Sequence, residues 1–326
     1  MSARPRGVNN LFSSRAGWNR DDDNDDGGKT SRGKGTGSTV LLKFCLVVIL
    51  FLLSGWPAAL LAQDASENKT PDEPPPIQDN SFLIEEAYNQ EPGIVQHVNT
   101  FMRQRGGDWA YSFTQEWPFF SQRHQLSYTV PVQRIGNLPG GSSTTGVGDV
   151  ALTYRYQMLG VGGGKVAVAP RFTVLLPTGD ERRDLGAGGT GVQVNLPVSV
   201  ALSRRFVTHS NAGATFTPSA KNSLGDKAHT KDYNLGQSLV CLAAPKANLL
   251  LEFAYSSTES VAGAGGRKKR EHELLLNPGV RFAIDLPGGL QIVPGIAVPF
   301  GVGPSRGERG VFLYLSFEHS LRKKSG

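Results

Sequence analysis

The sequence predicts an all-β fold: a single antiparallel transmembrane β-barrel of about twelve strands behind an N-terminal signal segment and linker. Three observations carry this. Apolar and polar residues alternate with period two along most of the chain beyond residue 90. Long and short connections between those stretches alternate as well, as in outer-membrane barrels. Only one apolar run approaches membrane-spanning length, and it lies in the leader, which excludes a polytopic helical membrane protein.

Residues 1–62 read as a polar N-region and a signal peptide. Lys43 precedes ten apolar residues, Phe44 to Leu53. Ser54-Gly55-Trp56-Pro57 then breaks the helix, and Ala58 to Ala62 supplies small residues for a cut after Ala62. The alternative is an uncleaved anchor over Phe44 to Ala62. Residues 63–92 read as a periplasmic linker, acidic and rich in proline, ending in Ser81 to Gln90, a segment expected to plug the lumen or to form a capping turn. Residues 93–320 are the barrel and 321–326 a basic tail.

Without the leader, 26 basic residues face 23 acidic ones, so bulk charge gives no support to nucleic-acid binding. The chain has two cysteines, Cys45 in the leader and Cys241, too few for a disulfide scaffold or a cysteine-built metal site. The six histidines are scattered, so no metal site and no cofactor is expected.

The clearest strand is Val192 to Ser203. Val192, Val194, Leu196, Val198, Val200 and Leu202 share one face, and Gln193, Asn195, Pro197, Ser199, Ala201 and Ser203 the other. The same alternation runs through 150–157, 166–176, 274–285, 290–300 and 311–318, and more weakly through 94–102, 109–117, 126–132, 206–216, 233–241 and 249–255. That makes twelve. Long connections are expected at 136–146, 179–189, 218–230 and 259–270, and short turns at 160–164, 203–205, 244–246 and 287–289. An even count puts every long loop on the outer side and both termini in the periplasm. A soluble sandwich would bury its apolar faces and needs no such asymmetry. Trp109, Trp117, Tyr154, Tyr156 and Phe300 suit interfacial girdles.

Phe82 to Gln90 followed by Gly93-Ile94-Val95-Gln96-His97, then Gly146-Val147-Gly148-Asp149-Val150 and Leu176-Pro177-Thr178-Gly179, resemble the outer-membrane family named for the meta-pathway of phenol degradation. The resemblance covers roughly residues 80 to 320. It implies an outer-membrane channel or transporter, in some members associated with aromatic compounds, with no catalytic residues to carry over. One departure is the end of the chain, where nine residues follow Phe317 instead of a terminal aromatic for the barrel-assembly machinery.

Catalytic motifs are weak. Gly186 to Gly191 satisfies a dinucleotide glycine pattern, but a charged loop precedes it and a strand follows where a helix is required. Gly162-Gly163-Gly164-Lys165 lacks the first glycine and the hydroxyl of a P-loop. An outer-membrane hydrolase needs Ser and His on one face, and no His has Ser two residues later, which leaves only a cross-strand arrangement. The chain is therefore read as no enzyme.

The candidate lumen-lining residues are Arg155, Arg171, Glu252, Arg281, Asp285 and Glu318. A turn centred near Gly162 would place Thr153 opposite Arg171 and Arg155 diagonal to it. The two arginines would then either favour anionic solutes or form internal ion pairs. Arg267, Lys268, Lys269 and Arg270 are expected on an outer loop as partners of lipopolysaccharide phosphates. The expected function is passage of small solutes, aromatic or hydrophobic compounds among them, across a bacterial outer membrane; a closed structural or adhesive barrel is the alternative. Twelve strands lie between filled and water-holding barrels, so strand count leaves an open channel undecided.

Overall fold

The structure is a computed structural model that describes residues 81–136 and 142–320. Sixteen strand segments form one sheet. They are β1 (Ile94–Gln104), β2 (Trp109–Phe119), β3 (Ser121–Ile135), β4 (Thr144–Val147), β5 (Val150–Tyr156), β6 (Val166–Val168), β7 (Arg171–Leu176) and β8 (Gly191–Ala201). The second half comprises β9 (Phe206–Lys221), β10 (Lys227–Ala244), β11 (Ala247–Gly263), β12 (Arg267–Phe282), β13 (Ile284–Leu286), β14 (Leu290–Ala297), β15 (Phe300–Gly301) and β16 (Gly310–Ser320). Four pairs of segments are single staves with a short break: β4 with β5, β6 with β7, β12 with β13 and β14 with β15. The barrel therefore has twelve antiparallel staves. It closes where β1 pairs with β16 along its whole length, from Ile94↔Ser320 to Gln104↔Gly310.

The barrel is apolar outside and largely polar within. Along β8, exposed Val194 (55%) and Leu196 (42%) alternate with buried Gln193 (7%), Asn195 (8%) and Ser199 (0%). Water would reverse that order, and lipid requires it. Among the described residues no helix is long and apolar enough to cross a membrane. The strands do the crossing.

Two of the expected long loops are not loops. Residues 218–230 and 259–270 continue β9 to Lys221, start β10 at Lys227, continue β11 to Gly263 and start β12 at Arg267, leaving turns of only a few residues. Ladder hydrogen bonds outweigh the polar, charged composition that suggested loops, because a strand standing beyond the bilayer needs no apolar face. A membrane-crossing strand needs about 9–11 residues. These have 16, 18, 17 and 16, so their outer ends stand above the lipid.

The 177–190 connection is a loop as expected, and Asp149 holds it. Its Oδ1 accepts from the Gly179 amide (2.9 Å) and its Oδ2 from the Ala187 amide (2.7 Å). A Cβ on Gly186 would lie 2.3 Å from Asp149 Oδ1, so glycine there permits the approach. The Gly-Val-Gly-Asp and Leu-Pro-Thr-Gly pieces are thus two sides of one contact. The glycine pattern at 186–191 runs into β8, with no helix after it.

Candidate functional site

Ser81 to Gln90 lies inside the barrel, in no strand, and wall side chains receive its backbone. Glu252 accepts from the amides of Leu83 (2.9 Å) and Ile84 (3.2 Å). Asn211 Oδ1 accepts from the Glu85 amide while its Nδ2 donates to the Glu85 carbonyl, both at 2.8 Å. Ser199 Oγ takes the Ala87 amide (2.8 Å), Gln157 the Asn89 amide (3.0 Å) and Gln125 the Gln90 amide (2.8 Å). Inside lipid a non-strand segment survives only where protein satisfies its polar groups. Here the inward polar face of the staves does so.

The first residues of the segment also fill an apolar socket. Phe82, Leu83 and Ile84 cluster with Val98, Met102, Val240, Leu250, Leu275, Val293, Phe312 and Tyr314. The Phe82 ring lies 5.6 Å from Phe312 and 5.7 Å from Tyr314, centroid to centroid. It also rests on two glycines. A Cβ on Gly279 would approach Phe82 Cε2 to 2.4 Å, and one on Gly295 would approach Cε1 to 2.5 Å. Gly236 makes similar room for Ile84, whose Cδ1 would be 2.1 Å from an added Cβ.

The six expected lumen residues fall in three places. Arg155 is buried and bridges to the segment: Nε donates to Asn89 Oδ1 (2.8 Å), Nη1 to the Glu86 carbonyl (3.3 Å) and Nη2 to the Tyr88 carbonyl (2.7 Å). Glu116 lies 3.8 Å from it. Arg171 pairs with Glu85 and donates to Gln193 Oε1 (2.8 Å). Glu252 holds the Leu83 and Ile84 amides and accepts from Asn277 Nδ2 (2.6 Å). Glu318 acts through a relay, accepting from Gln96 Nε2, whose Oε1 accepts from Gln90 Nε2, both at 2.8 Å. Arg281 is buried in the wall, with Gly295 opposite it in the register.

Asp285 is elsewhere. It lies exposed on the β13–β14 hairpin at the rim, bound to Lys246 (3.1 Å) and Gln291 (2.8 Å). Hydrogen bonds from Gln291 and Lys246 hold its carboxyl below the usual range. Alternation assigned it the inward parity, but the strand leaves the barrel before reaching it.

The register also differs from the expectation at the arginines. Arg155 pairs directly with Arg171 and Thr153 with Thr173, two residues from the expected alignment, because the turn is centred one residue later. Two guanidiniums side by side are tolerated because each has its own partners on the buried segment.

The four basic residues are strand, not loop. Lys268 and Arg270 face outward and share Glu259, at 2.8 Å and 2.9 Å. Arg270 also lies over the Tyr233 ring, 5.5 Å from its centroid. Lys269 pairs with Glu271 (2.8 Å), and Arg267 is exposed next to the turn.

A cross-strand Ser–His pair does exist. Ser199 Oγ and His209 Nδ1 are 2.7 Å apart, directly opposite in the β8–β9 register. Both are buried, and Ser199 Oγ already accepts the Ala87 amide, so the pair anchors the segment. Sequence reading also missed Asn211, Gln157, Gln125 and the glycine cradle. The inward face of each strand carried the polar residues in plain view. What the alternation lacked was any sign of which of them the Ser81 to Gln90 segment would occupy.

Two cavities flank the segment, each bounded by Leu83, Ile84, Glu85 and Arg171. One, of about 90 Å³, faces Gln193, Asn211, Asn234 and Glu273. The other, of about 60 Å³, faces Thr100, Ser112, Glu116, Thr129 and Thr153. Glu85 Oε2 and Arg171 Nε have no hydrogen-bond partner.

Residues 81–317 match the model of the family described as "Putative MetA-pathway of phenol degradation". No curated protein matches the chain. Among solved structures, the COG4313 outer membrane channel from Pseudomonas putida F1 is 13% identical, covering 72% of this chain and 97% of that one, with a TM-score of 0.55. The NanC porin is 10% identical over 68% of this chain and 98% of that one, with a TM-score of 0.46. The CymD monoaromatic hydrocarbon channel is 11% identical over 70% and 89%, with a TM-score of 0.35.

Proposed function

The chain belongs to that phenol-degradation pathway family, and from this premise we propose that it is an outer-membrane channel for small solutes whose closed state is set by Ser81 to Gln90. The observation that carries the reading is the kind of bond holding the segment. The hydrogen bonds described above run from wall side chains to the segment, and the segment forms no strand, so it can leave while the twelve staves stay closed. The inner face then exposed would be apolar around Phe312 and Tyr314 and amide-rich around Gln193 and Asn211. That combination suits a small aromatic solute with one polar group. The fold shared with the COG4313 outer membrane channel is consistent with a channel.

Planar-bilayer recordings test it. The refolded chain should be mostly closed, and a variant lacking residues 81–90 should show discrete large steps. Silence from both, with heat-modifiable gel migration proving that they folded, would instead favour a closed structural barrel. In this reading Arg155, Arg171, Glu252 and Glu318 hold the gate and do not select ions. Export with cleavage after Ala62 belongs to the same proposal, and N-terminal sequencing from outer membranes should begin at Gln63. So does contact of the outward Lys268 and Arg270, flanked by Arg267 and Lys269, with lipopolysaccharide phosphates. Substituting all four by Gln should weaken co-purification of lipopolysaccharide.

A further inference from the structure

A feature outside the gate lies on the seam where the barrel closes. His97 on β1 and His319 on β16 both point outward, diagonal to each other across the first-to-last strand pairing, where His97 is opposite Phe317 and Val95 opposite His319. Their Nε2 atoms are 3.1 Å apart, and the ring centroids 5.3 Å apart. The rings therefore meet nearly head-on, nitrogen to nitrogen. Both are partly exposed, and both sit near the end of the barrel where β1 begins and β16 stops.

We propose that His97 and His319 form a two-histidine site for a borderline divalent transition-metal ion, of which zinc is the natural probe, that ties the first strand to the last. A hydrogen bond between the two Nε2 atoms requires one ring to donate and the other to accept. His319 Nδ1 faces the Ser320 carbonyl at 3.3 Å, which favours a proton on Nδ1 and leaves its Nε2 as the lone pair. His97 would carry the shared proton on Nε2. Moving that proton to its own Nδ1 makes both Nε2 atoms free ligands, and the metal replaces the hydrogen bond.

The distance suits this exchange. Two imidazoles at about 2.0 Å from a metal have their nitrogens about 2.8 Å apart in a square-planar cis arrangement and about 3.3 Å apart in a tetrahedral one. The observed 3.1 Å falls between them. Each ring must swing by roughly 35° so that the lone pairs converge on a tetrahedral ion. Phe113, stacked on His97 at 6.0 Å with planes 21° apart, lets that ring turn against a flat surface. No cluster of three or more His, Cys, Asp or Glu ligands occurs among the described residues, so water would complete the coordination.

The test uses the refolded full chain in detergent. Isothermal titration should give one zinc ion per chain. Zinc should also slow heat-induced loss of the folded gel band, because it binds the closed seam and not the unfolded chain. At a hundredfold excess over the dissociation constant the folded-to-unfolded ratio rises by about a hundredfold. His97→Gln and His319→Gln should each abolish both effects while migrating as folded barrels without zinc; either one, if folded, is sufficient. His124→Gln should retain both effects. No zinc binding by the wild type would overturn the proposal. So would binding or protection that persists in His97→Gln or His319→Gln, since it would come from other histidines or from the detergent surface.

Discussion

The two halves of the buried segment are held by different physics. Ser81 to Ile84 is held by shape, with Glu252 under the Leu83 and Ile84 amides: Phe82 fits a cradle that exists only because Gly279 and Gly295 lack side chains, and Ile84 uses the room left by Gly236. Glu85 to Gln90 is held by hydrogen bonds to Asn211, Ser199, Gln157 and Gln125, and by Arg155 across its carbonyls. The difference teaches where release can begin. Hydrogen bonds to a backbone can be exchanged one by one for water, whereas a ring in a close-fitting socket leaves all at once. The polar half is expected to loosen first, and the socket to set the height of the barrier.

The sharpest way to break the comparison is to fill the cradle. Gly295→Val puts a methyl-bearing carbon 2.5 Å from Phe82 Cε1, and overpacking of this kind costs about 1–3 kcal/mol. That corresponds to a roughly 5- to 150-fold shift toward the open channel. Single-channel open probability is the readout, and Gly295→Val combined with Phe82→Ala should refold as readily as the wild type. Unchanged gating in Gly295→Val would mean that the socket does not hold the segment.

Glu252→Ala comes next. It strands the Leu83 and Ile84 amides and the Asn277 side chain, and an unmet buried donor costs about 1–3 kcal/mol. A cysteine placed at Ser81 should react faster with a water-soluble thiol reagent in this background. Arg155→Met should have a smaller effect, about 1 kcal/mol, because it leaves carbonyls without a donor, and these tolerate the loss better than amides. If it matched Glu252→Ala in cysteine reactivity, the polar half would be as much a determinant as the socket.

The smallest expected effect lies outside the gate. Burial, then the charge of Glu271, raises the Glu308 carboxyl in the β15–β16 loop from 4.5 to about 7, opposed by a hydrogen bond from Glu273. A raised folded-state value means that the protonated form supports the loop. Its contribution is full below about 4.5 and is lost as pH rises through about 7. Hydrogen exchange at residues 303–309, corrected for intrinsic rates, should therefore be faster at pH 8 than at pH 5. Equal protection at both pH values would remove Glu308 from consideration.

Much of this architecture was legible in the sequence because period-two alternation is a local property. Val192 to Ser203 states its two faces without reference to any other strand, and the same holds for enough stretches to count twelve. Boundaries were less legible where composition turns polar above the lipid. Pro218 to Thr230 looks like a loop by residue type, yet Lys221 and Lys227 are ladder partners. The register of β5 on β7 was off by two, because a glycine-rich turn at 160–164 does not announce its own centre.

By itself the sequence determined a lipid-facing barrel, its strand number and the inward parity of Arg155, Arg171, Glu252, Arg281 and Glu318; the expected leader at residues 1–62 lies outside the described residues. Only the tertiary structure decided what those side chains face. Ser81 to Gln90 lies between 68 and 169 residues away in sequence from Gln157, Ser199, Asn211 and Glu252, and no local pattern encodes a contact over such a separation. A glycine on a strand's inner face reads as a weakness until a phenylalanine from outside the barrel is seen resting on it. Alternation depends on one strand and its solvent; a gate depends on which distant segment closure of the barrel brings to that face.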